Sequence, residues 1–183
     1  MQLLEKNILR KVRCRQQLSM RQITLDCPRL KGKEWSRQVQ IRKMTTDDLD
    51  QVAELEEKNF SMPWHKESFA EILNNPSALY MVAEQDGKII GTCGIITALD
   101  EGDICNVVTD ENYRGQGVAY ALVSKVMERA FEEFGTTNFT LEVRVGNASA
   151  IALYEKLGFK SAGVRPKFYE KPVEDALIMW KTP

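Results

Sequence analysis

The sequence predicts an α/β (α+β) domain, a mixed β-sheet covered by helices, with elements in the order β-α-α-β-β-β-α-β-α-β-β. Three observations carry this. Asn138 to Val145 alternates strictly, Phe139, Leu141, Val143 and Val145 on one face and Thr140, Glu142 and Arg144 on the other, as a half-buried strand requires. Asp86-Gly87 stands between two apolar runs and is a strong hairpin signal. Arg114-Gly115-Gln116-Gly117 follows a strand-like run and opens directly into a helical stripe of Leu122, Val126, Ala130 and Phe134.

Taken in order, residues 1–38 begin with helical spacing at Leu4, Ile8 and Val12 and lose it around Asp26-Cys27-Pro28 and Lys31-Gly32-Lys33. They read as a poorly ordered basic extension ahead of a domain spanning residues 39–183. Val39 to Lys43 alternates as a short strand. Thr45-Thr46-Asp47-Asp48 then offers caps for a helix with Leu49, Val52, Ala53, Leu55 and Glu56 at helical spacing. Pro63 interrupts, and a second helix from about His65 ends at Asn74-Asn75-Pro76. Strands at Ala78 to Glu84 and Lys88 to Leu99 flank the hairpin turn, and Asp103 to Thr109 follows after Glu101-Gly102. Beyond the strand that starts at Asn138, Asn147 to Leu157 is a helix stopped by Gly158. Two strands, Phe159 to Ala162 or beyond and Ala176 to Trp180, close the chain.

Composition narrows the function classes. At 183 residues the chain is long enough to bury a sizeable core. Its 25 Lys/Arg against 26 Asp/Glu give a net charge of −1, so no global field favours nucleic acid. The charge is unevenly spread: residues 1–40 hold ten Lys/Arg and three Asp/Glu, net +7, which leaves the rest at −8. No run approaches the ~20 apolar residues needed to span a bilayer, and the start lacks an apolar signal core. The start is Arg-rich and acid-poor like a transit peptide, yet Ser19 and Ser36 are its only serines. Cys14, Cys27, Cys93 and Cys105 form no CxxC pair, which fits a reduced, cytoplasmic protein without a zinc knuckle. His65, the only histidine, removes any HExxH metal site.

The chemistry-bearing stretches are two. Glycines between a strand and a helix let backbone N–H groups point outward together at the positive end of the helix dipole, which binds phosphate without a lysine. The same glycines also serve an ordinary tight turn, and sequence alone leaves both readings standing. A Walker A loop is excluded because Gly-Lys-Ser/Thr is absent, and a dinucleotide fingerprint because Tyr120 stands where a small residue is required. In the second stretch Asn147 is well placed as an N-cap, and Tyr154, seven residues on, lies on the same helix face. A buried tyrosine of this kind is ordinarily core with its hydroxyl tied off. Glu142 sits on the polar face of an interior strand, where a carboxylate is either salt-bridged or used for proton transfer.

Together, Arg114-x-x-Gly117-x-Ala119 after a strand, and then Leu141-Glu-Val-Arg144-x-x-Asn147-x-x-Ala150-Ile151-x-Leu153-Tyr154-x-x-x-Gly158-Phe159, resemble the GNAT N-acetyltransferase superfamily. Within it they resemble the RimI-type ribosomal-protein-alanine N-acetyltransferases. Ile41 to Met44, Phe60 to Trp64, Asn106 to Val108 and Glu174 to Leu177 support the likeness, which covers about residues 39–180.

The resemblance implies a GNAT-type, mostly antiparallel sheet and transfer of an acetyl group from acetyl-CoA to a protein N-terminus, the N-terminal alanine of a small-subunit ribosomal protein. Val107, Val108 and Thr109 would bond the pantetheine arm through their backbone. Arg114, Gly115, Gln116, Gly117, Val118, Ala119 and Tyr120 would cradle the pyrophosphate, and Asn147 would touch the cofactor arm. Glu142 would be the general base and Tyr154 the general acid, with neither a metal nor a covalent enzyme intermediate needed. Trp64, Phe168 and Tyr169 would clamp the acceptor peptide, from loops between the first helices and between the last strands, or serve as ordinary loop packing. Phe168-Tyr169 departs from the commoner Tyr-Tyr pair and loses one hydroxyl. The basic extension is either an unneeded upstream start, a tether to rRNA or the ribosome surface, or a transit peptide. Lysine or small-amine acetylation on the same scaffold, or a silent acyl-CoA-binding module, are the competing functions.

Overall fold

The computed structural model describes residues 39–183, and the extension read over residues 1–38 lies outside the described residues. Among the described residues seven strands form one sheet: β1 (Val39–Lys43), β2 (Ala78–Gln85), β3 (Lys88–Ala98), β4 (Glu101–Thr109), β5 (Asn138–Arg144), β6 (Lys160–Glu170) and β7 (Val173–Lys181). Their order is β1-β2-β3-β4-β5-β7-β6. Every neighbouring pair is antiparallel except β4 and β5. The helices are α1 (Leu49–Asn59), α2 (Lys66–Leu73), α3 (Val118–Phe134) and α4 (Ala148–Lys156). This is the mixed, mostly antiparallel α+β sheet that the sequence predicts.

Alternation along the strands divides the core between two layers. Leu79, Met81 and Ala83 of β2 point to one face and join Leu122, Val123 and Val126 of α3 and Tyr154 of α4. Tyr80 and Val82 point to the other and join Leu49, Val52 and Leu55 of α1 and Phe69 of α2. Phe69 is fully buried, so Phe69→Ala would cost about 3–5 kcal/mol. α1 starts where the caps are. Thr45 and Asp48 exchange the bonds of a capping box across one 3-10 turn, and both Asp48 oxygens accept from the Arg42 guanidinium at 2.7 Å. α3 is bounded by Gly117 and Gly135, both left-handed.

Two boundaries differ from the sequence reading. The turn between β3 and β4 falls at Leu99-Asp100 rather than at Glu101-Gly102. Leu99 takes φ 57° and is 95% exposed, whereas Gly102 lies inside β4 because Ile95 and Thr136 leave no room for a Cβ there. At the other end of the sheet, Arg165 to Tyr169 belongs to β6 and is not a loop. A register shift between Arg165 and Tyr169, with Lys167 at φ 52° and its N–H on Asp175 Oδ1 at 2.8 Å, absorbs the extra residues and hides the alternation.

The feature that places the site is a short pairing. β4 and β5 are in register only from Glu101 to Asp103 against Asn138 to Thr140, and beyond that they part. On its other side β4 stays paired with β3 as far as Thr109. A wedge therefore opens in the sheet between the second half of β4 and the second half of β5.

Candidate active site

Val107, Val108 and Thr109 lie on β4 along the opened edge, with Val108 and Thr109 held from behind by Thr92 and Gly91. The Thr109 hydroxyl is buried and has no hydrogen-bond partner among the described residues. At the end of this strand the chain makes a 3-10 turn and enters the loop Arg114 to Gly117. Gly115 takes φ 71° and Gly117 φ 93°, values that favour glycine. From Gly115 to Tyr120 no backbone N–H bonds to a described residue, and the first bond of α3 is Ala121 N–H to the Gly117 carbonyl at 3.0 Å. A row of free donors at a helix N-terminus is an anion site by construction. Of the two readings left standing by sequence, the anion cradle has the donors it needs, and nothing lies within 4 Å of where a Gly115 Cβ would be. The residues present thus fit a phosphate-bearing cofactor.

Across the wedge, Glu142 stands on β5 with its side chain 21% exposed, and its Oε1 forms an ion pair with Arg165 Nη1 of β6 at 3.0 Å. Asp103 of β4 is its charged neighbour: partial desolvation, and then the Glu142 charge, push the Asp103 carboxyl above its ordinary range. Tyr154 of α4 is 6% exposed and meets Phe159 edge-on at 5.9 Å. Its hydroxyl bonds to no described residue, contrary to the usual tied-off tyrosine, and burial pushes its pKa far above the ordinary value. Asn147 is the N-cap of α4, its Oδ1 accepting from Ala150 N–H at 3.2 Å and from Ser149 Oγ at 3.0 Å. The capping role expected of it is realised.

The acceptor-side aromatics are not gathered as a single clamp. Phe168 is 41% exposed and meets Tyr169 edge-on at 5.1 Å, and Tyr169 donates its hydroxyl to the Glu142 carbonyl at 3.2 Å while Arg144 covers its ring at 4.2 Å. Trp64 instead leans inward on Phe69 at 5.5 Å and Tyr80 at 6.3 Å, so its ring is part of the α1–α2 core. The loop before Trp64 still reaches the β6–β7 turn, where Ser61 Oγ donates to the Lys171 carbonyl.

Sequence reasoning missed several residues here. Arg144 donates to the Lys171 and Pro172 carbonyls and to Glu174, and Glu174 accepts the Gly146 N–H at 2.7 Å, which pins the β6–β7 turn beside Glu142. A Cβ on Gly146 would meet that Glu174 oxygen at 2.8 Å. Glu56, Tyr80 and Asn106 form a buried polar group behind β4. Asn106, Arg144 and Glu174 stood within stretches that carry the family likeness, and Glu56 left a signal of its own, a carboxylate at a core position of an amphipathic helix.

Comparison with known proteins now decides the family. Residues 49–159 match the acetyltransferase (GNAT) family. The chain belongs to that family. It is a GNAT N-acetyltransferase, and enzymes of the family use acetyl-CoA as co-substrate. This GNAT enzyme is 41% identical over 143 residues to a Bacillus subtilis protein provisionally assigned as a ribosomal protein bS18-alanine N-acetyltransferase, covering 78% of this chain and 94% of that one. It is 34% identical over 143 residues to the Escherichia coli ribosomal protein bS18-alanine N-acetyltransferase, covering 76% and 94%. The crystal structure of the Escherichia coli ribosomal-protein-S18-alanine N-acetyltransferase superposes with a TM-score of 0.72 at 32% identity, over 79% of this chain and 93% of that one. No helix among the described residues is long and apolar enough to cross a membrane.

Proposed function

We propose that this GNAT enzyme acetylates the α-amine of an N-terminal alanine, that of ribosomal protein bS18, with Glu142 as base and Tyr154 as acid. This reading is supported by Glu142, a partly exposed carboxylate on β5 facing the wedge, and by Tyr154, whose ring is buried while its hydroxyl bonds to no described residue. The relatives named for bS18 acetylation span nearly their whole length in this chain and supply the substrate.

Acetyl-CoA brings the acyl thioester, and every other part of the reaction falls to the chain. The free N–H groups from Gly115 to Tyr120 bind the pyrophosphate, and the β4 edge at Val107 to Thr109 orients the pantetheine arm, with Asn147 beside it. Glu142 accepts the proton that the acceptor ammonium must lose before its nitrogen can attack the carbonyl, directly or through water. Tyr154 holds a proton at its hydroxyl for the sulfur that leaves. No metal enters these steps. Phe168 and Tyr169 line the acceptor side. An α-amine asks less of one carboxylate base than a lysine does: roughly a quarter of it is neutral at pH 7.4, against about 0.1% for a lysine. The domain spans residues 39–183.

Thiol release from acetyl-CoA tests the reading. A short peptide with a free N-terminal alanine is expected to turn over, and the same peptide N-blocked but carrying a lysine is expected not to. Turnover on the blocked peptide would replace the reading with lysine acetylation, and binding of acetyl-CoA without turnover on either peptide would replace it with a binding module.

A further inference from the structure

Behind the opened edge of β4 four residues from four segments close a ring. Glu56 of α1 is 1% exposed, and no described Lys or Arg pairs with it. Its Oε2 accepts the backbone N–H of Trp64, in the loop between α1 and α2, at 3.4 Å, and its Oε1 accepts from Asn106 Nδ2 on β4 at 3.4 Å. The Asn106 Oδ1 in turn accepts the Tyr80 hydroxyl of β2 at 3.2 Å, and the Tyr80 ring lies 6.3 Å from that of Trp64. Tyr80 fits only because position 94 is glycine, where a Cβ would lie 2.2 Å from the ring.

Asn106 takes φ 50° at the place where the β3–β4 register shifts, so it is the bulge residue of β4. The three residues after it are the proposed pantetheine-binding edge. The bulge therefore sets where that edge runs, and its side chain is fixed at both ends, by Tyr80 and by Glu56. One turn further along α1, Asn59 accepts from the Arg114 guanidinium, whose Nε reaches the Thr109 carbonyl at 3.4 Å. The last turn of α1 thus touches the acceptor-side loop, the bulge and the start of the phosphate loop.

A fully buried carboxylate without a cation is a costly way to fill a core position, and burial indeed pushes the Glu56 carboxyl above its ordinary range. A leucine would pack the same helix face without that cost. We propose that Glu56 is a positioning residue for acetyl transfer, its two oxygens tying the acceptor-side loop at Trp64 to the β4 bulge at Asn106 so that both substrates meet in one geometry. The inference rests on the transferase reading of β4 and of the loop at Trp64.

The test is a double-mutant cycle on Glu56→Gln and Asn106→Gly, read in kcat, in both KM values and in melting temperature, with backbone amide exchange on the same proteins. Glutamine keeps the volume but can accept only one of the two donors, and glycine keeps the positive φ of position 106. Each single variant is expected to lose about ten- to a hundred-fold in kcat, because a small misplacement is enough for that. The double variant should lose no more than the worse single one. The melting temperature of Glu56→Gln should hold or rise, and amide exchange should quicken together at Trp64 and at Val107 to Thr109. Full activity in Glu56→Gln, losses that multiply, or a loss of kcat that follows a fall in melting temperature would each overturn the proposal. Unchanged exchange in Glu56→Gln would overturn it as well, whether or not Asn106→Gly folds. If the unaltered enzyme transfers no acetyl group, the transferase reading fails, while amide exchange still judges the link itself.

Discussion

The Arg165 guanidinium of β6 reaches over β7 to pair with Glu142 of β5, its Nη1 3.0 Å from Oε1. The pair is half open to solvent, at 53% and 21% side-chain exposure, so its own contribution to stability is small. What it does is hold the carboxylate in one place. Glu142→Gln is expected to lower kcat by about 10²- to 10⁴-fold on the alanine peptide, with acetyl-CoA binding and melting temperature unchanged. Steady-state kinetics alongside calorimetric binding of acetyl-CoA checks this.

Tyr154→Phe separates activity from stability. The hydroxyl has no partner among the described residues, so its removal breaks no hydrogen bond within them, and the ring keeps its edge-on contact with Phe159. The variant should melt at the same temperature or higher and lose about 10²-fold in kcat. Burial holds the hydroxyl protonated well beyond neutrality, so kcat of the parent enzyme should show no basic limb from this group below pH 10.

Gly117→Ala should act on the cofactor alone. At φ 93° an L residue costs about 1–2 kcal/mol, and the strain falls on the N–H row at the start of α3. We expect the KM for acetyl-CoA to rise roughly tenfold and that for the peptide to stay where it is. Initial rates with each substrate varied in turn distinguish the two.

The pH dependence of stability has a marked contributor far from the chemistry. Bonds from Arg42 hold the Asp48 carboxyl below its ordinary value of 3.8. A depressed carboxylate contributes stability that is present above the unfolded value and is lost as pH falls through the folded one. Asp48→Asn should therefore cost about 1.5–3 kcal/mol at pH 7, and the gap between variant and parent should close below about pH 3.8. Urea melts at several pH values measure it.

The strands were legible where one face is wet and the other dry, as at Phe139 to Val145, and so was the glycine loop before α3. β6 was not, because its bulge at Arg165 to Tyr169 breaks the alternation that sequence patterning depends on. The wedge beside Glu142 comes from the parting of β4 from β5, a pairing no local signal announces. The partners of Glu142 and Glu56 were invisible for the same reason: Arg165 and Asn106 lie on other strands, and only the sheet order brings them near.

The most direct measurement is a map of acetyl groups on purified bS18 after incubation with the enzyme and acetyl-CoA, by intact mass and by peptide sequencing. One acetyl group on the α-amine of the N-terminal alanine, none on any lysine, and none with Glu142→Gln is the result expected. Acetylation of lysine side chains, or an unmodified bS18 while the enzyme binds acetyl-CoA, would contradict the account.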